Sequence, residues 1–207
     1  MPRENYDRRM QEEILTLCRE RAPRLLLHSC CGPCSSAVLE KLCPFFDVTV
    51  FYYDPNIHPR EEYERRAAEQ ARLLDEMRPA GKRVGLIMGE WDAENWFRLT
   101  RGLEEEKEGG RRCGICFEMR LLKTAETAAR EGFDLFASTL TVSPHKDPDR
   151  VNDAGFRAQE ITGVKYLPSD FKKRDGYLRS LRLSDQFGLY RQDYCGCVYS
   201  MRGDKEK

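Results

Sequence analysis

The sequence lacks three features that would each assign a broad class of function. It has no net charge, because 35 Lys and Arg residues balance 35 Asp and Glu residues, so overall charge gives no reason to expect nucleic-acid binding. No apolar run approaches the roughly 20 residues that span a bilayer. The opening residues MPRENYDRRMQEE contain no signal-peptide hydrophobic segment. We therefore expect a cytoplasmic protein without a membrane partner.

Internal repeats and low-complexity linkers are also missing from the sequence. A chain of 207 residues without them is expected to form one domain over residues 1–207. We expect an N-terminal helical region over residues 1–22 and a mobile tail over residues 201–207.

Strand and helix patterns alternate along the chain, which predicts a three-layer α/β fold, a parallel sheet with helices on both faces. Functional sites in such sheets form beyond the carboxyl ends of the strands. The loops beginning HSCCGPC, DPNIHP and TVSPHKD follow three of the predicted strands. The predicted strands span residues 24–29, 47–53, 83–89, 135–140 and 164–167. The predicted helices span residues 6–21, 35–42, 60–77, 92–106, 117–131, 149–161 and 175–186.

Histidine is scarce, with three residues, whereas cysteine is abundant, with nine. In a reducing cytosol so many cysteines are expected to be ligands or catalysts rather than disulfides. Cys18 and Cys43 lie in helical apolar patterns and are predicted to be core residues. The other seven form three groups: Cys30, Cys31 and Cys34; Cys113 and Cys116; and Cys195 and Cys197.

Seven clustered thiols exceed the four that a single tetrahedral zinc or one all-cysteine cluster needs. Soft thiolates favour zinc, Cu(I) and iron–sulfur clusters over hard cations. The C-x-x-C pair Cys113–Cys116, predicted to lie in a tight loop at Gly114, also fits zinc knuckles and redox pairs. The surplus favours one iron–sulfur cluster plus a second metal or a redox-active thiol pair, provided that the three groups converge at one rim of the sheet.

Candidate proton donors are few, and they lie in the loops that follow the second and fourth predicted strands. They are His58 and Asp54 in the first of these loops and His145 and Asp147 in the second. A carboxylate beside a metal can act as a general acid or as an oxygen ligand. We therefore expect the catalytic proton donors among these four residues.

Basic residues adjoin two of the cysteine groups. Arg111 and Arg112 precede the C-x-x-C pair, and Lys172, Lys173 and Arg174 begin an aromatic-rich stretch that leads to the last group. Basic residues interleaved with aromatics suit phosphate contact and base stacking, although a solvated helix face has the same composition. We expect these five residues to contact an RNA substrate.

Five motifs occur in order over residues 24–200: HSCCGPCSS, YYDPNIHP, RCGICFEMRL, STLTVSPHKD and YCGCVYS. Together they resemble the QueH family of epoxyqueuosine reductases. The resemblance implies a Rossmann-like fold related to the adenine-nucleotide hydrolase-like superfamily. It implies the last step of queuosine biosynthesis, in which epoxyqueuosine in tRNA is reduced to queuosine and the epoxide oxygen leaves as water.

The resemblance also implies a [4Fe-4S] cluster beside a separately coordinated iron, an external electron donor and no cobalamin. It makes all seven clustered cysteines metal ligands. The expected cluster ligands are Cys113, Cys116, Cys195 and one thiolate of the first loop, Cys30 or Cys34. The expected ligands of the second iron are Cys197 and another first-loop thiolate such as Cys31, completed by Asp54 or Asp147.

Two alternatives remain open at the level of sequence. One is a zinc- or cluster-containing module that binds RNA or senses redox state without catalysis. The other is a nucleotide-activating tRNA-modifying enzyme such as a thiolase, which needs a Gly/Ser-rich loop after the first strand to hold pyrophosphate. The loop here, CCGPCSS, carries thiols where glycines are expected.

Overall fold

The structure is a computed structural model that describes residues 4–201. The predicted mobile tail, apart from Met201, lies outside the described residues. The strands are β1 Arg24–Ser29, β2 Asp47–Tyr52, β3 Gly85–Met88, β4 Leu135–Ser138 and β5 Lys165–Tyr166. The helices are α1 Tyr6–Leu17, α2 Gly32–Leu42, α3 Arg60–Glu76, α4 Ala93–Thr100, α5 Arg111–Arg130, α6 Pro148–Thr162 and α7 Gly176–Gln186.

The five strands form one parallel sheet in the order β3-β2-β1-β4-β5. In register, Leu26 of β1 lies between Thr49 of β2 and Phe136 of β4. The chain thus forms β1, β2 and β3 in order toward one edge of the sheet and then adds β4 on the other side of β1. Such a reversal of strand order leaves a crevice at the carboxyl ends of the two strands, where parallel sheets bind ligands.

Both faces of the sheet are covered, which confirms the predicted three-layer α/β architecture. Leu25 and Leu27 of β1 pack in one core with residues of α1, α2 and α3, whereas Leu26 packs in the other core with residues of α4, α5 and α6. Successive strand residues point to opposite faces, so an uninterrupted apolar run is buried on both sides. Within residues 4–201, no helix combines the length and the apolar character needed to cross a bilayer.

The main difference from the predicted elements concerns α5, which begins at Arg111 rather than near residue 117. The C-x-x-C pair therefore lies in the first two turns of a helix, and the prediction of a tight loop at Gly114 is wrong. The carboxylate of Glu106 accepts a hydrogen bond from the backbone N–H of Arg111 at 3.0 Å. This bond satisfies one of the free N–H groups at the helix start, which lets the helix begin ahead of the cysteines.

Candidate metal centre

The three cysteine groups converge at the carboxyl edge of the sheet. Cys30 directly follows β1, Cys31 and Cys34 lie at the start of α2, the C-x-x-C pair lies in α5, and the last pair lies in the segment that follows α7. All seven residues belong to the same packed cluster of the α4–α5–α6 core. The structure therefore confirms the expected convergence, and the two isolated cysteines, Cys18 and Cys43, pack in the opposite core.

The first group brings three sulfur atoms together. The Sγ atoms of Cys30, Cys31 and Cys34 all lie within 4.8 Å of one another. Cys31 caps α2 with an extended backbone, and Pro33 stands in the first helical turn, where its missing N–H leaves no bond unmade. Hydrogen bonds from Cys30 and Cys34 hold the pKa of the Cys31 thiol well below its usual range. Three soft donors at this spacing can hold one metal ion.

A buried glutamine on α3 supports this loop. Gln70 is fully buried, and its Oε1 accepts hydrogen bonds from the hydroxyls of Ser29, at 2.8 Å, and Ser35, at 2.7 Å. The same two hydroxyls lie 3.3 Å and 3.0 Å from the carbonyl oxygen of Cys31. Gln70 therefore fixes the backbone that presents the first three thiols, a role with no signal in the local sequence of α3.

Replacing Gln70 by leucine is expected to lower the free energy of unfolding by about 1 kcal/mol, because the hydroxyls of Ser29 and Ser35 lose one of their acceptors but keep the carbonyl of Cys31, and the unpaired Nε2 of Gln70 is removed. Denaturant unfolding of the metal-free protein measures the change. Gln186 is exposed at the end of α7, and its change to leucine is the matched control, expected to stay within about 0.5 kcal/mol. Equal losses in the two variants would contradict the supporting role of Gln70.

The second group lies one helical turn from a buried arginine. Cys113 is half-buried and its Sγ accepts from the backbone N–H of Gly109 at 3.2 Å. Cys116 is buried, and its Sγ accepts from Arg120 Nη1 at 3.5 Å. Burial raises the pKa of Cys116 to about 11, although the charge of Arg120 opposes the shift. A bound metal would remove this proton, because only the thiolate is a ligand.

Arg120 also reaches the ends of two strands. Its Nη2 lies 2.5 Å from Asp54 Oδ1, after β2, and its Nε lies 3.2 Å from His28 Nε2, in β1. Asp54, predicted as a proton donor or metal ligand, is fully buried beside this guanidinium, and neither of its carboxylate oxygens has a hydrogen-bond partner among the described residues. Arg120 was not predicted from the sequence. Its position four residues after Cys116, one turn along the same helix face, would have indicated it once the C-x-x-C pair was placed in a helix.

The third group docks on the loop between β2 and α3. Ile57 and Cys197 form an antiparallel bridge, and the backbone N–H of His58 donates to the carbonyl of Gly196 at 2.8 Å. The buried Arg66 of α3 donates to the carbonyl of Cys195 at 3.2 Å. These bonds hold Cys195 and Cys197 against the loop between β2 and α3. The site therefore combines residues that are far apart along the sequence.

Lys146, which was not predicted from the sequence, places a positive charge near the thiols. A hydrogen bond from Cys197, followed by the charge of Lys146, lowers the pKa of Cys195 to about 5. The same shared proton raises the pKa of Cys197. Burial disfavours the charge of Lys146, but the neighbouring Cys30, Cys195 and Cys34 outweigh it and raise the pKa of this lysine. Cys195 thus has a lowered pKa beside a cation, whereas Cys116 and Cys197 have raised ones.

A cavity lies at this edge of the sheet, and its lining shows whether the residues fit a metal cluster. Its walls carry four thiols, those of Cys113, Cys116, Cys195 and Cys197. Three further wall residues are almost fully buried and present polar atoms without a hydrogen-bond partner among the described residues: Asn56 Oδ1, Trp96 Nε1 and Arg112 Nε. Unpaired buried polar atoms are uncommon in native proteins. Thiolates together with free N–H donors fit a sulfur-rich inorganic group.

The predicted proton donors occupy different positions. His145 is exposed and lines both this cavity and a second one that reaches Cys30 and Cys34. Asp147 lines the first cavity and also caps α6, accepting from the N–H of Asp149 at 3.0 Å. His58 is half-buried beside Trp91 and Phe97, with ring centroids 5.3 Å and 4.7 Å away. His145 and Asp147 are thus exposed and line the first cavity, whereas His58 does not line it.

The residues that we predicted to contact RNA also lie in different environments. Arg112 is buried, and its Nη1 donates to the carbonyls of Leu103, at 2.7 Å, and Glu104, at 2.9 Å. Arg174 pairs with Asp7 of α1 at 2.9 Å, and Lys172 pairs with Asp170 at 3.0 Å. Arg111 and Lys173 are exposed. Arg112 is buried and makes its hydrogen bonds within the protein, so we no longer expect it to contact RNA.

Comparisons with known proteins identify similar chains. The family model described as epoxyqueuosine reductase QueH matches residues 25–203. A protein of Streptococcus pyogenes named epoxyqueuosine reductase QueH is 46% identical over 200 residues, which cover 96% of this chain and 78% of the relative. A Staphylococcus epidermidis protein of the same name is 42% identical, with 95% and 84% covered. One from Thermotoga maritima is 32% identical, with 88% and 93% covered.

Proposed function

The chain belongs to the epoxyqueuosine reductase QueH family, and we propose that it reduces epoxyqueuosine in tRNA to queuosine with a [4Fe-4S] cluster and a second, mononuclear iron. The observation that carries this proposal is the packing of seven thiols from three distant segments in one cluster. That number exceeds the need of one zinc ion or one all-cysteine cluster. Cobalamin is not required in this proposal, because the metals held by the thiols supply the electrons.

The proposed cluster ligands are Cys113, Cys116 and Cys195 with Cys30 or Cys34. Cys197 and another thiolate of the first loop are proposed for the second iron. When bound, such a group supplies electrons singly and a Lewis-acidic position for oxygen. The structure already places Asp54 against Arg120, so Asp147 is the carboxylate that we propose at the open side of the site.

The overall reaction consumes two electrons and two protons, breaks both C–O bonds of the epoxide and releases its oxygen as water. As the first C–O bond breaks, negative charge develops on this oxygen. We propose that the ammonium of Lys146 stabilises this charge from the wall shared by the two cavities. The exposed imidazole of His145 passes the two protons that the oxygen receives, one at a time, from solvent to the site. The rings of Trp96 and Phe117 line the inner wall and exclude water.

The substrate is proposed to be tRNA that carries epoxyqueuosine, held at the phosphate backbone by the exposed Arg111 and Lys173 and by Lys172. An external electron donor must reduce the centre between turnovers, because the substrate brings no electrons. The cytoplasm is the proposed location, since tRNA is modified there. A pyrophosphate-binding site is not favoured, because thiols occupy the start of α2 where a glycine-rich loop would hold phosphate.

An assay on modified tRNA tests this proposal. The protein is reconstituted anaerobically with iron and sulfide, analysed for both elements, and incubated with a chemical reductant and tRNA that carries epoxyqueuosine. We expect digestion to nucleosides and mass spectrometry to show a product lighter by one oxygen atom, and the zinc-loaded protein to give none. Absence of product from a fully loaded, reduced sample would refute the proposal. Incorporation of zinc alone would favour the non-catalytic alternative.

A further inference from the structure

Arg120 connects the cysteine cluster to two buried polar residues. Its guanidinium donates to Cys116 Sγ at 3.5 Å and to His28 Nε2 at 3.2 Å, and lies 2.5 Å from Asp54 Oδ1. The exposed fraction is 3% for Arg120 and 0% for both Asp54 and His28. These three residues are therefore separated from water while one of them contacts a proposed cluster ligand.

His28 fixes the direction of the guanidinium. Arg120 Nε donates to His28 Nε2 at 3.2 Å, the same nitrogen lies 3.2 Å from the backbone carbonyl of Tyr53, and Nδ1 of the ring lies 2.9 Å from Ser138 Oγ. Ser138 Oγ in turn accepts from the backbone N–H of Leu140 at 3.2 Å. This chain of hydrogen bonds runs from β4 through β1 to α5, so the side of Arg120 that faces sulfur is held by the sheet.

The charges of Arg120 and Asp54 have opposite effects on the reduction of a centre held by the thiols. Reduction of a thiolate-bound centre adds an electron, so a nearby cation stabilises the reduced form and a nearby carboxylate destabilises it. Both effects are large in a site from which water is excluded. Net charge, hydrogen bonds to sulfur and solvent exposure are the factors through which a protein sets the potential of an iron–sulfur centre.

We propose that the Arg120–Asp54 ion pair sets the reduction potential of the thiolate-bound centre. Arg120 acts as a positioning residue that raises the potential through its charge and its N–H···S bond, and Asp54 limits that increase. This inference rests on the proposed function in one respect, namely that the thiols hold a redox-active centre. It gives Asp54 an electrostatic role in place of direct proton transfer.

Two variants separate the two charges. Asp54→Asn removes the carboxylate and leaves the guanidinium in place, so the midpoint potential is expected to rise. In the double variant Arg120→Met/Asp54→Asn the cation is also lost, and the potential is expected to fall below that of the single variant. The expected difference between the two is at least tenfold in the one-electron reduction equilibrium, which corresponds to about 59 mV. Arg120→Met alone is avoided, because it leaves a buried carboxylate unpaired.

The measurement is an EPR-monitored redox titration of the anaerobically reconstituted proteins, without substrate, at matched iron and sulfide content. The control is a second acid–arginine pair, Glu118 of α5 with Arg157 of α6, whose side chains are 48% and 63% exposed. Glu118→Gln and Arg157→Met/Glu118→Gln make the same charge changes in water-screened positions. Neither control variant is expected to shift the potential.

Four outcomes would overturn the inference. Equal potentials in Asp54→Asn and the double variant would show that Arg120 has no electrostatic effect on the centre. A lower iron content in Asp54→Asn than in the wild type would identify Asp54 as a ligand instead. A wild-type sample without any reducible centre would overturn the proposed function as well, whereas unchanged potentials in a working reductase would overturn this inference alone. Arg120→Lys, which keeps the charge, provides a further variant if the double variant does not load iron.

Discussion

Cys116→Ser is expected to lower the rate of epoxyqueuosine reduction by more than about 100-fold and to reduce the iron content of the reconstituted protein. Partners that only support metal ligands already cost about 10–100-fold when they are removed, so a ligand itself should cost more. Cys116 is the most enclosed thiol of its pair, buried beside Arg120. A serine hydroxyl at this position is a harder and far less acidic donor than a thiol, and iron–sulfur clusters favour thiolates.

The matched control is Cys18→Ser. Cys18 is half-buried at the end of α1 and packs against the core on the opposite face of the sheet. This variant is expected to keep its full iron content and the wild-type rate. Iron and sulfide analysis, visible absorbance and the tRNA assay are measured on both variants. Wild-type iron content in Cys116→Ser would remove this residue from the ligand set and would contradict the proposed division of the thiols.

Gly196→Ala is expected to detach the last two thiols from the site while the sheet remains folded. Gly196 has a φ of +103°, a conformation that is open to glycine but strained for alanine. An added Cβ would lie 2.7 Å from Ile57 Cγ1 and 3.0 Å from Arg66 Nη1. Strain of about 2 kcal/mol corresponds to a roughly 30-fold shift toward the undocked segment. Cys195 and Cys197 flank this residue, so iron retention and turnover should fall together.

Loss of iron to a chelator and hydrogen exchange of the residues around Gly196 measure this effect. Gly188→Ala is the control, because Gly188 also has a positive φ, +55°, but an added Cβ there meets nothing within 4 Å. It is expected to cost about 1 kcal/mol of stability without faster iron loss. Equal iron loss in the two variants would mean that backbone strain in the C-terminal region, rather than contact with Ile57 and Arg66, controls the site.

The fold was largely predictable from the sequence because the strands carry strong local signals. The predicted first strand, residues 24–29, matches β1 at both ends, and the prediction of helices on both faces is confirmed. Helix ends were less predictable. We expected α4 to reach residue 106, but it ends at Thr100, and the start of α5 depends on the side-chain cap from Glu106, which periodicity does not show.

The cysteines of the site were predictable from the sequence, but the residues that hold and surround them were not. Cysteine spacing identified the three groups, and the end of the first strand placed one of them, but their convergence was a hypothesis that the sequence did not establish. Arg120, Gln70 and Lys146 were missed because their roles arise from the tertiary structure, which brings them near Asp54, two serine hydroxyls and three cysteines respectively. Single arginines, glutamines and lysines on helices or in loops are ordinarily solvated, so sequence alone gave no reason to choose these.

The bridge between Ile57 and Cys197 joins segments that are far apart along the chain. Contacts of such sequence separation form late in folding, because they require closure of a long loop. The segment that carries the last thiols has few strands or helices of its own, and such regions open locally at a lower free energy than the core. Under the proposed function, iron would therefore enter through a transient opening of this edge in a protein whose sheet is already folded. The time needed to mature the enzyme would then be set by the frequency of that opening and by metal supply, not by the rate at which the domain folds.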